Sequence, residues 1–201
     1  MQVVVLTNES LKEELLNTVS SLSEEVIWVE HLSQLHQHKE ADVFIDLLFE
    51  KSHINTLKEL VPKLVIINSV EETLAETNSF FVRINGWTSF LKSSLIEAAS
   101  LDKTNKQKTE QVFSLFHKKL EWVDDVVGFI TPRVICMIIN EAFIALNEGV
   151  STKEEIDTAM KLGTNYPYGP FEWAEKIGID KINSLLEKLS RQQKRYRSFV
   201  S

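Results

Sequence analysis

The side chains best suited to chemistry by themselves are five histidines and one cysteine, and their spacing speaks against a centre built from them. His36-Gln37-His38 sets two imidazoles at alternate positions of a short polar stretch, without the third ligand that a metal site needs. A solvated loop is the plainer reading, and no metal is expected. His31, His53 and His117 fall in separate segments that nothing in the sequence brings together. Cys136 lies in a strongly apolar helical run and reads as a small buried hydrophobe rather than a nucleophile. There is no Gly-x-Ser-x-Gly elbow and no phosphate loop. The tail carries Lys188, Arg191, Lys194, Arg195 and Arg197 with no acid after Glu187. Such a run can grip phosphates or an acidic partner. More commonly it complements the dipole at a helix C-terminus on a solvated face.

These residues must be held by a globular body. The chain is 43% hydrophobic and 25% charged, an ordinary soluble balance, and its 201 residues suit one large domain or two small ones. A net charge of −7 argues against nucleic acid as the main partner, because phosphate binding needs a basic face. A single cysteine excludes an internal disulfide framework and fits a reducing cytosol. Met1-Gln2-Val3-Val4-Val5-Leu6 lacks a positive leader region and is too short for a signal peptide, and no window approaches bilayer length. A cytoplasmic protein without membrane contact is expected.

Apolar, β-rich runs at Val3 to Leu6, Val26 to Val29, Val43 to Leu48, Leu64 to Ile67 and Phe80 to Ile84 predict strands. Between them, Ser10 to Leu22 and Ile54 to Leu60 carry helical spacing. Alternation of this kind implies parallel βαβ units with both faces of the sheet covered. Lys106 to Leu120 reads as a further helix and Trp122 to Ile130 as a closing strand region. From residue 131 no strand is expected. Thr131-Pro132 opens a helix that Gly149 closes, and Ser151-Thr152-Lys153-Glu154 is a capping box for a second helix ending at Gly163. Gly169-Pro170 starts a third that Gly178 ends, and Asp180 can cap a last one carrying Ile182, Leu185, Leu186 and Leu189. The boundary is expected near residues 127 to 131.

Several short segments of the last third stand in an ordered series. They are Gly128-Phe129-Ile130, Asn140-Glu141-Ala142, Glu148-Gly149-Val150, Asp157 to Gly163 and Tyr166-Pro167-Tyr168-Gly169-Pro170-Phe171-Glu172. Together they resemble the C-terminal domain of the 3-hydroxyacyl-CoA dehydrogenase family, of the 3-hydroxybutyryl-CoA dehydrogenase kind. The resemblance implies a shortened Rossmann-like α/β domain with a parallel sheet over 1–127, then an all-α domain over 128–201. It also implies NAD as cofactor, an acyl-CoA-type ligand, and a homodimer formed through the helical domain.

Carried over residue by residue, the resemblance places the family's orienting glutamate on Glu97. Its general-base histidine, twelve positions earlier, falls on Asn85, which has no basic site near neutral pH. The Ser/Thr-rich strand end that touches substrate and cofactor corresponds to Asn68-Ser69, so Ser69 is a candidate. The family's substrate-binding asparagine falls on Pro132. Glu30, after the second strand, stands where an acidic residue would bind ribose hydroxyls. The first turn reads Leu6-Thr7-Asn8-Glu9-Ser10-Leu11 without a glycine, and Glu9 opposes an anion there. Two functions are therefore expected in competition. One is the family's NAD-dependent oxidation of a 3-hydroxyacyl-CoA, weakened or lost. The other is a non-catalytic homologue that binds an acyl-CoA-like ligand or a protein.

Overall fold

The computed structural model describes residues 1–19 and 25–200, which divide into two compact units, Met1–Phe129 and Ile130–Ser201. Among the described residues, the first unit is built on seven strands: β1 (Val3–Leu6), β2 (Val26–Val29), β3 (Val43–Asp46), β4 (Leu64–Asn68), β5 (Val82–Ile84), β6 (Leu95–Ala99) and β7 (Lys119–Trp122). They lie in the order β2-β1-β3-β4-β5-β6-β7. Successive strand residues point to opposite faces, and both faces are apolar. Val3, Val5, Val43, Ile45, Leu64 and Ile66 pack on one side with Leu11, Leu15, Val112 and Phe113. Val4, Leu6, Phe44, Val65 and Ile67 pack on the other with Leu35 and Leu57. These partners come from α1 (Glu9–Leu16) and α3 (Lys103–Ser114) on the first side. On the second they come from α2 (Ile54–Lys58) and a 3-10 segment, Leu32–His38. The unit is an α/β Rossmann-like domain.

Three details differ from the sequence reading. β6 runs antiparallel to β5, with Arg83 opposite Ala99 and Ile84 opposite Ala98. Only residues 85–94 join the two strands, too few for the helical crossover a parallel return requires. The turn is held where Glu14 of α1 accepts the Ser89 N–H at 2.7 and 2.9 Å, with Ser89 at φ 75°. The helix expected over Lys106 to Leu120 is α3, which stops at Ser114. His117 there takes φ 54° and the Lys118 N–H bonds the Phe113 carbonyl at 3.0 Å, releasing the chain into β7. The closing strand is therefore Lys119–Trp122, earlier than expected. Finally, α1 ends at Leu16, and Leu22 lies outside the described residues.

The second unit consists of α4 (Thr131–Asn147), α5 (Lys153–Thr164), α6 (Pro170–Ile177) and α7 (Ile179–Gln192). Its ends follow local chemistry, with small shifts. Pro132 is the second residue of α4, after Ile130 at the cap position, and Gly149 takes φ 71° just beyond its end. The capping box is Thr152 with Glu155, one residue later than Ser151–Glu154. Asn165, at φ 57°, ends α5, so Gly163 stays inside the helix. Gly178, at φ 95°, separates α6 from α7, and Asp180 sits in the first turn rather than at the cap. Ile182, Leu185, Leu186 and Leu189 are fully buried, as their spacing predicts. No helix of the described residues is long and apolar enough to cross a membrane.

Candidate functional site

In an open α/β sheet the crevice beyond the carboxyl ends of the parallel strands is the usual ligand site. In the first unit that crest carries Thr7, Glu30, Asp46, Asn68 and Asn85 at or just past the ends of β1 to β5. Antiparallel β6 adds Glu97. The Asn85 N–H donates to the Glu97 carbonyl oxygen at 2.9 Å, and Asn85 Nδ2 to Glu97 Oε2 at 3.1 Å. An ionised carboxylate only accepts, so the amide nitrogen must face it and Oδ1 must turn away. That oxygen is buried and has no hydrogen-bond partner among the described residues. Such an orphaned acceptor is costly unless a ligand or water meets it. The arrangement orients an acceptor, and the Asn85 amide itself is no base.

The neighbouring strand end is tied down. Asn68 Oδ1 accepts the Gly86 N–H at 2.9 Å, while its Nδ2 donates to the Leu47 carbonyl at 3.0 Å and the Gly86 carbonyl at 2.8 Å. A Cβ on residue 86 would come within 2.8 Å of Asn68 Cγ, so glycine is required there. Ser69 is buried, and its hydroxyl donates to the Glu72 carbonyl at 3.0 Å. Beneath it the buried Arg83 donates to the Ser69 carbonyl at 3.0 Å, pairs with Asp125 at 2.7 Å and stacks on Phe129 at 4.2 Å. Burial lowers the Arg83 pKa, opposed by Asp125. Trp87 is buried in packing beside this crest.

The first turn does not fit a pyrophosphate. The Asn8 side chain accepts the Leu11 N–H at 2.9 Å, taking a donor that a phosphate would use, and Glu9 puts a negative charge in the same turn. Glu30 is exposed, and its N–H is held by Gln34 Oε1 at 3.0 Å.

One pair on the crest was not legible in the sequence. His53 Nδ1 lies 2.7 Å from Asp46 Oδ2, with Asp46 fully buried and the His53 side chain 15% exposed. The other Asp46 oxygen accepts the Leu48 N–H at 3.0 Å. Burial pushes the Asp46 carboxyl up, and its hydrogen bond holds the His53 imidazolium up. The pair therefore keeps its proton above the range of an isolated imidazole. The sequence reading set His53 apart from the other histidines and named no acid for it. Its partner stands seven residues earlier across a turn, a spacing with no periodic signature.

The remaining histidines form no centre. His36 reaches Glu59 at 3.8 Å, His117 contacts the Thr18 carbonyl at 3.0 Å, and no metal-ligating cluster occurs among the described residues. In the second unit Cys136 is buried in α4 and Pro132 is buried in its first turn. Asn140 fastens the basic tail, donating to the Arg197 carbonyl at 3.0 Å and accepting the Phe199 N–H at 2.7 Å.

The family model for the 3-hydroxyacyl-CoA dehydrogenase C-terminal domain matches residues 128–200. A 3-hydroxybutyryl-CoA dehydrogenase of Clostridioides difficile is 31% identical over 170 residues, 75% of this chain and 59% of that relative. Residues 128–200 thus carry that helical domain, and the chain as a whole is similar to the 3-hydroxyacyl-CoA dehydrogenases. The 3-hydroxyadipyl-CoA dehydrogenase of Escherichia coli is 47% identical over 77 residues, 37% of this chain and 16% of that relative. The chain thus spans less than two thirds of these curated relatives. In fold, the (S)-3-hydroxybutyryl-CoA dehydrogenase of Ralstonia eutropha aligns with a TM-score of 0.71 at 23% identity, covering 98% of this chain and 82% of that one. M. tuberculosis FadB2 aligns at 0.75 and 14% identity, covering 98% and 90%. Within this 3-hydroxyacyl-CoA dehydrogenase-like chain, the motif residues of the helical unit serve its folding. Asp157 of α5 accepts the Phe171 N–H at 2.8 Å and the Glu172 N–H at 3.3 Å, capping α6 from across the unit. A Cβ at Gly169 would collide with that carboxylate.

Proposed function

We propose that this 3-hydroxyacyl-CoA dehydrogenase-like protein seats an acyl-CoA-type ligand on its sheet crest and that the family's NAD-dependent oxidation is weak or lost. Asn85 on Glu97 is the observation that carries this reading. A histidine there would exchange a proton with the ligand, whereas an amide only donates and accepts hydrogen bonds. In this assignment Asn85 Oδ1 receives a hydrogen bond from the ligand, Glu97 orients the amide, and Ser69 shapes the adjoining turn. Glu30 is the acidic residue suited to ribose hydroxyls. The Asn8-capped, glycine-free turn supports weak NAD binding or none.

We assign the ligand site to residues 1–127 and homodimer formation to residues 128–201. The α4 region leaves Ile130 and Val134 exposed at 57% and 48%, apolar surface suited to a second copy. Sedimentation velocity reads that assignment directly.

The deciding experiment is a titration of the purified chain with NADH by fluorescence and with acetoacetyl-CoA by calorimetry. Saturable acetoacetyl-CoA binding is expected, without saturation by NADH at about millimolar concentration. Asn85→Leu, which removes the acceptor, should weaken 3-hydroxybutyryl-CoA, whose 3-hydroxyl can donate to it, about tenfold, the worth of one hydrogen bond. Saturable NADH binding with acetoacetyl-CoA-dependent oxidation would restore a working dehydrogenase. Absence of acetoacetyl-CoA binding would remove the ligand assignment.

A further inference from the structure

The crest that lacks a base at Asn85 holds one two strands away. Asp46, which holds His53 at 2.7 Å, ends β3, and Asn85 follows β5, with β4 between them. Adjacent strands lie about 4.8 Å apart, so the two strand ends are separated by roughly 10 Å. Asn68, at the end of β4, bonds both Leu47 and Gly86 and so locks the two flanking ends into one surface. An acyl thioester can span that distance.

The Asp46–His53 pair is built like a proton acceptor. Asp46 is fully buried, and with one carboxylate oxygen on the Leu48 N–H and the other on His53 Nδ1 its position is fixed. A carboxylate on Nδ1 fixes the tautomer that carries its proton there and leaves Nε2 with the lone pair. The ring is further placed by an edge-on contact with Phe49, centroids 6.4 Å apart. The charged groups bearing on it are Asp46 and Glu50, both negative, while the adjacent Lys51 is drawn to Glu72 at 3.0 Å. Two acids facing one imidazole suit proton uptake better than anion binding.

We propose that the Asp46–His53 pair is a second acid–base site of the crest, acting on the C2–H of a 3-oxoacyl thioester without any cofactor. This inference rests on the acyl-CoA reading given above. A C2–H flanked by two carbonyls is one of the few carbon acids within reach of an imidazole. In the step, the C2–H bond breaks, an Nε2–H bond forms, and the electron pair moves onto the carbonyl oxygen as an enolate. Reversal returns a proton to C2. The net reaction is hydrogen exchange with solvent, and neither oxidant nor reductant enters.

The test is the rate at which acetoacetyl-CoA gains deuterium at C2 in heavy water, followed by NMR with and without the full chain. Wild type should accelerate the exchange, and His53→Gln should remove the protein-dependent part by about a hundredfold or more, the usual worth of a general base. The wild-type rate should rise with pH as His53 loses its proton, with a midpoint above about 6.5, the ordinary imidazole value. Asp46→Asn should move that midpoint down, and this shift decides the matter should His53→Gln fail to fold. If calorimetry shows acetoacetyl-CoA bound but wild type gives no acceleration, or His53→Gln retains it, this inference is overturned while the ligand assignment stands. If acetoacetyl-CoA does not bind, both are overturned.

Discussion

The two units of this chain use their polar residues in opposite ways. In the helical unit, the residues that identify the family are engaged with backbone. Asp157 caps α6, Asn140 clamps the tail at Arg197 and Phe199, and Glu172 accepts the Gly169 N–H at 2.9 Å. On the crest of the sheet, Asn85 Oδ1 is buried without a hydrogen-bond partner among the described residues, and the titratable His53 side chain stays 15% exposed beside a buried Asp46. Hydrogen bonds to backbone make a helical domain recognisable across distant sequences, because each satisfies a group the fold cannot leave unpaired. Unsatisfied or titratable groups serve no such need. The helical unit therefore carries the family resemblance in its backbone contacts, whereas the crest keeps groups that its own fold does not use.

The contrast can be tested first at its foundation. Asp125→Ala would strand the buried Arg83 guanidinium beneath the crest, and leaving a buried charge unpaired costs about 3–5 kcal/mol. Urea denaturation followed by hydrogen exchange in β4 and β5 should show that loss in the first unit. A cost near zero would mean that Arg83 finds another partner and that the crest rests on a softer base. Asp157→Ala should cost about 2 kcal/mol, since it removes a buried helix cap. That loss should be read in the amides of α6. If it instead altered acetoacetyl-CoA binding without affecting stability, the division between folding motifs and chemistry would fail.

The smallest effect concerns pH. His53 is held above its ordinary value by Asp46, so the pair's contribution is fully present below about 6.5 and is lost as pH rises through the raised value. Stability of the first unit should decline gently across that window. The decline should vanish in His53→Gln, as read by thermal melts at fixed ionic strength. An unchanged profile would show that the pair is not linked to folding, which sharpens the case that it serves a ligand.

Much of the helical unit was legible because its signals are local. Pro132, Gly149, the Thr152 box, Pro170 and Gly178 act within a turn of where they stand, so misplacements amount to a residue or so. The apolar strands β1 to β5 were legible for the same reason, whereas β6 and its direction were not. That direction depended on the length and pinning of the 85–94 turn, which Glu14 supplies from 75 residues away. Of the site residues, Asn85 and Glu97 were visible by resemblance. Their hydrogen bond needed the antiparallel register that sets Asn85 beside Glu97.

The sequence by itself determined the alternation of buried strands and helices, the helix ends of the last third to within a residue or two, the family series there, and the missing glycines and histidine. These depend on neighbours within a few residues, where periodicity and capping operate. The tertiary structure decided which strand ends share the crest, that Asn8 fills the turn where a phosphate would sit, and that Asn85 faces Glu97 with its amide nitrogen. It also decided that His53 meets a buried aspartate. Each of these follows from desolvation and close approach between segments that only packing brings together.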